Sequence, residues 1–147
     1  DAFWSGMKQK LASVPVEPKL VSVKSPLPGV ESFDVTAPAL GLQVSGYMAK
    51  PSGAKPKSLP IILTVHGAGV SDSSLGGSAN WASKGFLAMD MNAHGLPNGK
   101  PKQFYADLKV GAMKDYRYEH KNDREKAYFT GMMLRLVRAI SRIDCCG

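Results

Sequence analysis

A chain of 147 residues that is 44% apolar and 21% charged has the length and composition of one folded domain with a real core, which excludes a disordered chain. Its net charge of +7 comes from lysines and arginines spread along the sequence, the nearest approach to a cluster lying between Lys109 and Lys126. No helix-turn-helix, zinc-finger or aromatic-basic sheet pattern accompanies that charge, so a nucleic-acid partner is not expected, and an acidic polysaccharide or a plainly solvated surface accounts for it equally well.

No run of about 18 apolar residues occurs, so neither a transmembrane helix nor a membrane partner is expected. Cys145 and Cys146 are adjacent, poorly placed to bridge each other, and without a nearby histidine that would make a zinc motif. They are too few to define a redox compartment, and no residue spacing calls for a metal or cofactor. A chain that begins at Asp1, with neither initiator methionine nor signal peptide, suggests a processed protein or a piece of something longer.

In chain order, residues 2–13 predict a helix with Phe3, Trp4, Met7 and Leu11 on one face and Pro15 as its stop. A short strand fits Lys19 to Ser25, before the Pro26-Leu27-Pro28-Gly29 turn. Phe33, Val35 and Ala37 alternate with polar residues, and Leu42 to Lys50 alternates again after Pro38-Ala39-Leu40-Gly41, which predicts an antiparallel hairpin. The proline-rich stretch from Pro51 to Pro60 is an exposed connection. It leads into Ile61-Ile62-Leu63-Thr64-Val65, whose unbroken apolar character predicts a strand buried on both faces inside a parallel sheet. A loop from Val70 and a short helix near Ser78–Ser83, closed by Gly85, then reach Phe86–Met91, a second buried strand. Strand, crossover and strand make a right-handed βαβ unit, so these two strands are expected to be parallel neighbours.

The segment from Asn92 to about Lys121 is irregular in pattern and long enough for a lid or binding loop, with Phe104, Tyr105, Tyr116 and Tyr118 to pack it. Asn122 with Glu125 three residues on predicts the start of a last helix. Phe129, Met133, Leu136, Val137 and Ile140 form its apolar stripe, and Arg135, Arg138 and Arg142 its solvated basic face.

Both parallel strands end in loops bearing His and Gly: His66-Gly67-Ala68-Gly69, and Asn92-Ala93-His94-Gly95. In open α/β sheets ligands sit beyond the carboxyl ends of the strands, and glycines there let the backbone approach a substrate. His66 suits either a backbone hydrogen bond within its turn or a chemical role; His94 lies at the edge of the expected pocket; His120, among charged residues, is expected to be solvated. Ser71, Ser73 and Ser74 read as loop groups or a helix cap, because no base stands at a recognisable spacing from them.

Val65-His66-Gly67-Ala68-Gly69, Trp81-Ala82-Ser83-Lys84-Gly85-Phe86 and Asp90-Met91-Asn92-Ala93-His94-Gly95 together resemble the acetyl xylan esterase and cephalosporin C deacetylase family of α/β-hydrolases. Asp1-Ala2-Phe3-Trp4 and the stretch from Arg124 through Leu134-Arg135-Leu136-Val137-Arg138-Ala139-Ile140 are similar to it as well, in the same order. The resemblance implies the N-terminal half of an α/β-hydrolase: one partial domain over 1–147, made of an N-terminal helix and linker (1–18), antiparallel strands (19–50) and a βαβα unit with the site loops (59–142). It implies removal of acetyl groups from xylan or xylo-oligosaccharides by a Ser-His-Asp triad. The backbone amide of Ala68 would be one oxyanion donor, with Gly67 and Gly69 permitting the close approach, and His66, Asn92 and His94 would meet the substrate. A Gly-x-Ser-x-Gly elbow does not occur; Gly76-Gly77-Ser78-Ala79-Asn80 lacks the last glycine and follows the wrong strand. The chain is therefore expected to be a truncated, inactive portion of an esterase, or a non-catalytic saccharide-binding or assembly module of the same fold. In that fold Ile61–Val65 would keep one side unpaired, an edge through which copies could associate as a homo-oligomer. A secreted or periplasmic location goes with a plant-polysaccharide substrate, a cytoplasmic one being the alternative.

Overall fold

The structure, a computed structural model, describes residues 2–15, 17–141 and 143. Cys145, Cys146 and Arg142 lie outside the described residues. Helix α1 (Ala2–Ala12) precedes three antiparallel strands, β1 (Lys19–Val23), β2 (Val30–Ala39) and β3 (Leu42–Pro51). The β2–β3 turn needs only two residues, Leu40 and Gly41, both at positive φ (48° and 75°), the backbone that matches strand twist in a tight hairpin. β4 (Ile61–Val65), α2 (Leu75–Ala82) and β5 (Leu87–Met91) then form the βαβ unit, with β4 and β5 parallel and Leu63 opposite Met89. The sheet order is β1-β2-β3-β5-β4.

Alternation along the strands sorts the core into two layers. Val44 and Met48 of β3, with Leu87, Met89 and Met91 of β5, face α1 and α4 (Tyr128–Ile140). Ala49 faces Ala79 and Ala82 of α2. The result is α/β, a mixed five-stranded sheet with helices on both faces.

Several expectations change. All five residues of β5 are buried, flanked by β3 and β4, whereas β4, which pairs on one side only among the described residues as expected, is not buried on both faces and leaves Ile61 and Val65 44% and 49% exposed. A continuous apolar strand is covered on both faces only when strands and helices flank it fully, and an edge position removes that cover. α2 begins at Leu75, earlier than its apolar residues suggest, because the Ser74 hydroxyl accepts the Gly77 amide at its N-cap. The segment after β5 contains helix α3 (Lys102–Val110) and a 3₁₀ turn at Tyr116–Tyr118. α4 starts at Tyr128 rather than near Asn122: the Asp123 carboxylate instead accepts the amides of Glu125 and Lys126 and closes a turn before the helix.

The faces of α4 are divided differently from the expected stripe, of which Leu136 and Val137 do pack against the core. Phe129, Met133 and Ile140 are exposed, while Arg135 and Arg138 are buried. Gly131 lets the helix lie close to Leu42, where a Cβ would stand 3.0 Å from its Cδ1. At that spacing the long arginines reach backbone acceptors: Arg135 Nε donates to the Gln43 carbonyl (3.1 Å), and Arg138 Nη2 to the carbonyls of Leu11 (2.6 Å) and Val14 (3.1 Å) at the end of α1. Leu11 lies in the last turn of α1 and Val14 just past it, and because the Leu11 carbonyl also accepts the Val14 amide (3.1 Å), the guanidinium adds a second donor there, a C-cap delivered from another helix.

Candidate functional site

The loop after β4 is held by its carbonyls. His66 Nδ1 lies 2.6 Å from the Gly67 oxygen, and its Nε2 lies 3.3 Å from the Ala93 nitrogen. The Ala93 amide must donate, so Nε2 accepts and Nδ1 faces the Gly67 carbonyl as donor, and the ring ties this loop to the one after β5. The next carbonyl, of Ala68, accepts from the Tyr116 hydroxyl (2.6 Å) and from His94 Nε2 (3.3 Å). His94 Nδ1 then accepts from the Tyr128 hydroxyl at 2.7 Å.

In a trans peptide the C=O and the following N–H point in opposite directions. With the carbonyls of Gly67 and Ala68 drawn inward, the amides of Ala68 and Gly69 are turned the other way. Among the described residues neither amide has a protein acceptor, and Gly67, Ala68 and Gly69 are exposed. The loop thus presents two fixed, unspent donors at the carboxyl end of β4, which is chemically a receptor for a developing negative oxygen.

A second layer holds the loop ends. The Asp90 carboxylate, buried near the end of β5, accepts the Ser74 amide (2.8 Å) and the Thr64 hydroxyl (2.7 Å), joining β4, β5 and the start of α2. Asn92, fully enclosed, donates to the Ser71 carbonyl and accepts the amides of His94 and Leu96. Of the residues singled out from sequence, His66, Ala68, Asn92 and His94 therefore converge on one sheet edge, with His66 and His94 rings 6.3 Å apart. His120 is exposed. Ser71, Ser73 and Ser74 make no hydrogen bond to any histidine among the described residues. Tyr116 and Tyr128 are the members that sequence reasoning missed: they stand 48 and 34 residues from their partners, and tyrosines in an irregular segment give no local signal.

Burial pushes His94 below its ordinary value of 6.5, and the charges of His66 and Arg135 push in the same direction against the Ala68 and Gly69 carbonyls. A depressed histidine contributes stability that is complete above the unfolded value and is lost as pH falls below it, because the unfolded chain takes the proton more readily. Stability against thermal unfolding is expected to fall from pH 7.5 to 5 by at most about 1.4 kcal/mol per pH unit from this group, and His94→Gln should flatten that part of the decline. An equal decline in both proteins would show that His94 is not the group titrating.

A family model described as acetyl xylan esterase (AXE1) matches residues 1–145. A comparison with curated proteins finds no match. Among solved structures, the fold is similar to the crystal structure of acetyl xylan esterase 1 from Thermoanaerobacterium sp. JW/SL YS485, with a TM-score of 0.67 at 16% identity. The match covers 95% of this chain and 44% of that one, so the chain spans less than half the length of that solved relative.

Proposed function

Because the chain belongs to the acetyl xylan esterase family, we propose that it carries the oxyanion-loop portion of a serine-dependent esterase that removes acetyl groups from xylan or short xylo-oligosaccharides. The supporting observation is the His66–Gly69 loop, whose carbonyls are engaged and whose amides are free. When a serine attacks an acetyl carbonyl, negative charge builds on its oxygen, and an amide already aimed there stabilises it without reorganisation. In this reading the Ala68 amide is that donor, Gly67 and Gly69 keep the approach clear, and His66, Asn92 and His94 hold the loops that meet the sugar. A protein acting on such a polymer belongs outside the cytoplasm, secreted or periplasmic.

These residues hold no Gly-x-Ser-x-Gly elbow, so the 147-residue chain is expected to hydrolyse p-nitrophenyl acetate at most about 10³-fold faster than buffer. Turnover near 1 s⁻¹ or above would overturn that expectation. Calorimetric titration with acetylated and deacetylated xylo-oligosaccharides tests the substrate: tighter binding of the acetylated form supports the reading, and equal affinity removes it.

An assembly role is favoured by a separate observation. β4 pairs on one side only among the described residues, and Ile61 and Val65 are exposed there. Unpaired apolar strand edges template pairing with another chain. Light scattering at micromolar concentration is expected to show a dimer or larger species, and a clean monomer would sink this second reading.

A further inference from the structure

Two cavities adjoin the candidate oxyanion loop. One, of about 400 Å³, is bounded by Ala68, Gly69 and Val70 and by Lys109, Lys114 and Arg117. The other, of about 630 Å³, continues from Val70 past Asp72 and Lys100 to α3. They share Val70 and Lys109 and so form one groove leading away from Ala68. The helix turns one face to it: Lys102, Tyr105, Ala106 and Lys109 follow the i, i+3, i+4, i+7 spacing, which sets the two lysines about 10 Å apart along the axis. Tyr105 is buried between them, its hydroxyl fixed on the Pro97 carbonyl.

The charge along this groove is one-sided. Lys100, Lys102, Lys109, Lys114 and Arg117 line it, and none of them is ion-paired: the salt bridges among the described residues are Lys10–Glu125 and Lys126–Asp123, both elsewhere. Asp72 is the single carboxylate in the lining, and it is turned to the backbone, accepting the amides of Ser73 and Gly99. Concave surfaces carrying one sign of charge raise the local concentration of the opposite sign.

We propose that this groove selects an anionic saccharide, one carrying uronic-acid carboxylates near its acetyl ester, over a neutral chain of the same length. The proposal rests on the esterase reading for its sugar and on the unpaired cations for its charge. Exposed lysine–carboxylate pairs are individually weak and screened by salt, so the preference is a collective one that fades as ionic strength rises.

The test is calorimetric titration of the intact chain with two acetylated xylo-oligosaccharides of equal length, one bearing glucuronic acid and one neutral, with the deacetylated form of each, and with a DNA duplex as a generic polyanion. At low salt the acidic oligosaccharide is expected to bind at least about fivefold more tightly than the neutral one. In Lys102→Gln/Lys109→Gln, with folding checked by circular dichroism, that ratio should drop below about twofold. Equal affinity for both sugars in the unsubstituted chain overturns the groove proposal while leaving the esterase reading in place. A retained ratio in the double variant also overturns it. DNA binding as tight as that of the acidic sugar overturns it in favour of an unselective basic surface. Preference for acidic sugars whether or not they are acetylated supports the groove and removes the esterase reading.

Discussion

Replacing Gly95 with alanine is expected to lower stability by about 4 kcal/mol, read as a fall of about 10 °C or more in melting temperature. Gly95 follows His94 at φ +68°, and a Cβ there would stand 2.1 Å from the Gln43 carbonyl oxygen and 2.9 Å from Arg135 Nε. The left-handed backbone alone costs a side chain about 1–2 kcal/mol. The clash adds to this because its target is backbone rather than the tip of a flexible side chain, and it disrupts the hydrogen bond between Arg135 and Gln43. Gly99→Ala is the matched comparison. Gly99 has nearly the same φ, +69°, but its Cβ would meet only the Tyr47 hydroxyl at 3.5 Å, an ordinary contact, so it should lose only about 1–2 kcal/mol. Urea denaturation that places the two variants within about 1 kcal/mol of each other would show that the loop yields and that the close packing against Gln43 is not a constraint.

Arg138→Ala should cost about 3 kcal/mol, against less than about 0.5 kcal/mol for Met133→Ser on the same helix. The order is the opposite of what the residue types suggest. Arg138 is 2% exposed and donates to the carbonyls of Leu11 and Val14, so its removal takes away two charge-assisted hydrogen bonds and leaves a void where a buried side chain stood. Met133 is 46% exposed and loses little by becoming polar. Arg138→Lys should recover part of the loss, because both bonds come from the single nitrogen Nη2 and an ammonium can replace it, though on a shorter side chain that lacks the guanidinium's packing area. If Arg138→Ala proves as mild as a surface substitution, α1 is not held by this contact.

The mixed burial of α4, with Leu136 and Val137 on the core and Arg135 and Arg138 beside them, shows where residue patterns stop being informative. Phe129, Met133 and Ile140 repeat at helical spacing and mark an amphipathic helix correctly, yet periodicity does not say which face meets the sheet. Here Gly131 allows the close approach to Leu42, and the carbonyls of Leu11 and Gln43 take the arginines inward as donors. For Ile61–Val65 the strand and its unpaired side were legible, but its apolar run suggested burial on both faces, and only the packing shows Ile61 and Val65 exposed. The candidate site was legible to about the same depth. His-Gly loops after two strands marked both site segments and placed Ala68 among them. Nothing local could pair Ala68 with Tyr116, or His94 with Tyr128.

Local sequence by itself determined the strands, the first helix, the hairpin, the parallel βαβ unit, the family and the absence of a nucleophile elbow from these residues, but not α3 or the start of α4. Each of these follows from spacing over a few residues, from turn chemistry or from a motif that is present or missing. Tertiary structure decided which carbonyls of the His66–Gly69 loop are held and so which amides stay free, which face of α4 is buried, and where unpaired lysines gather beside Ala68. Those outcomes depend on hydrogen bonds and packing between segments far apart in the chain, whose energies exist only once the sheet has brought them together.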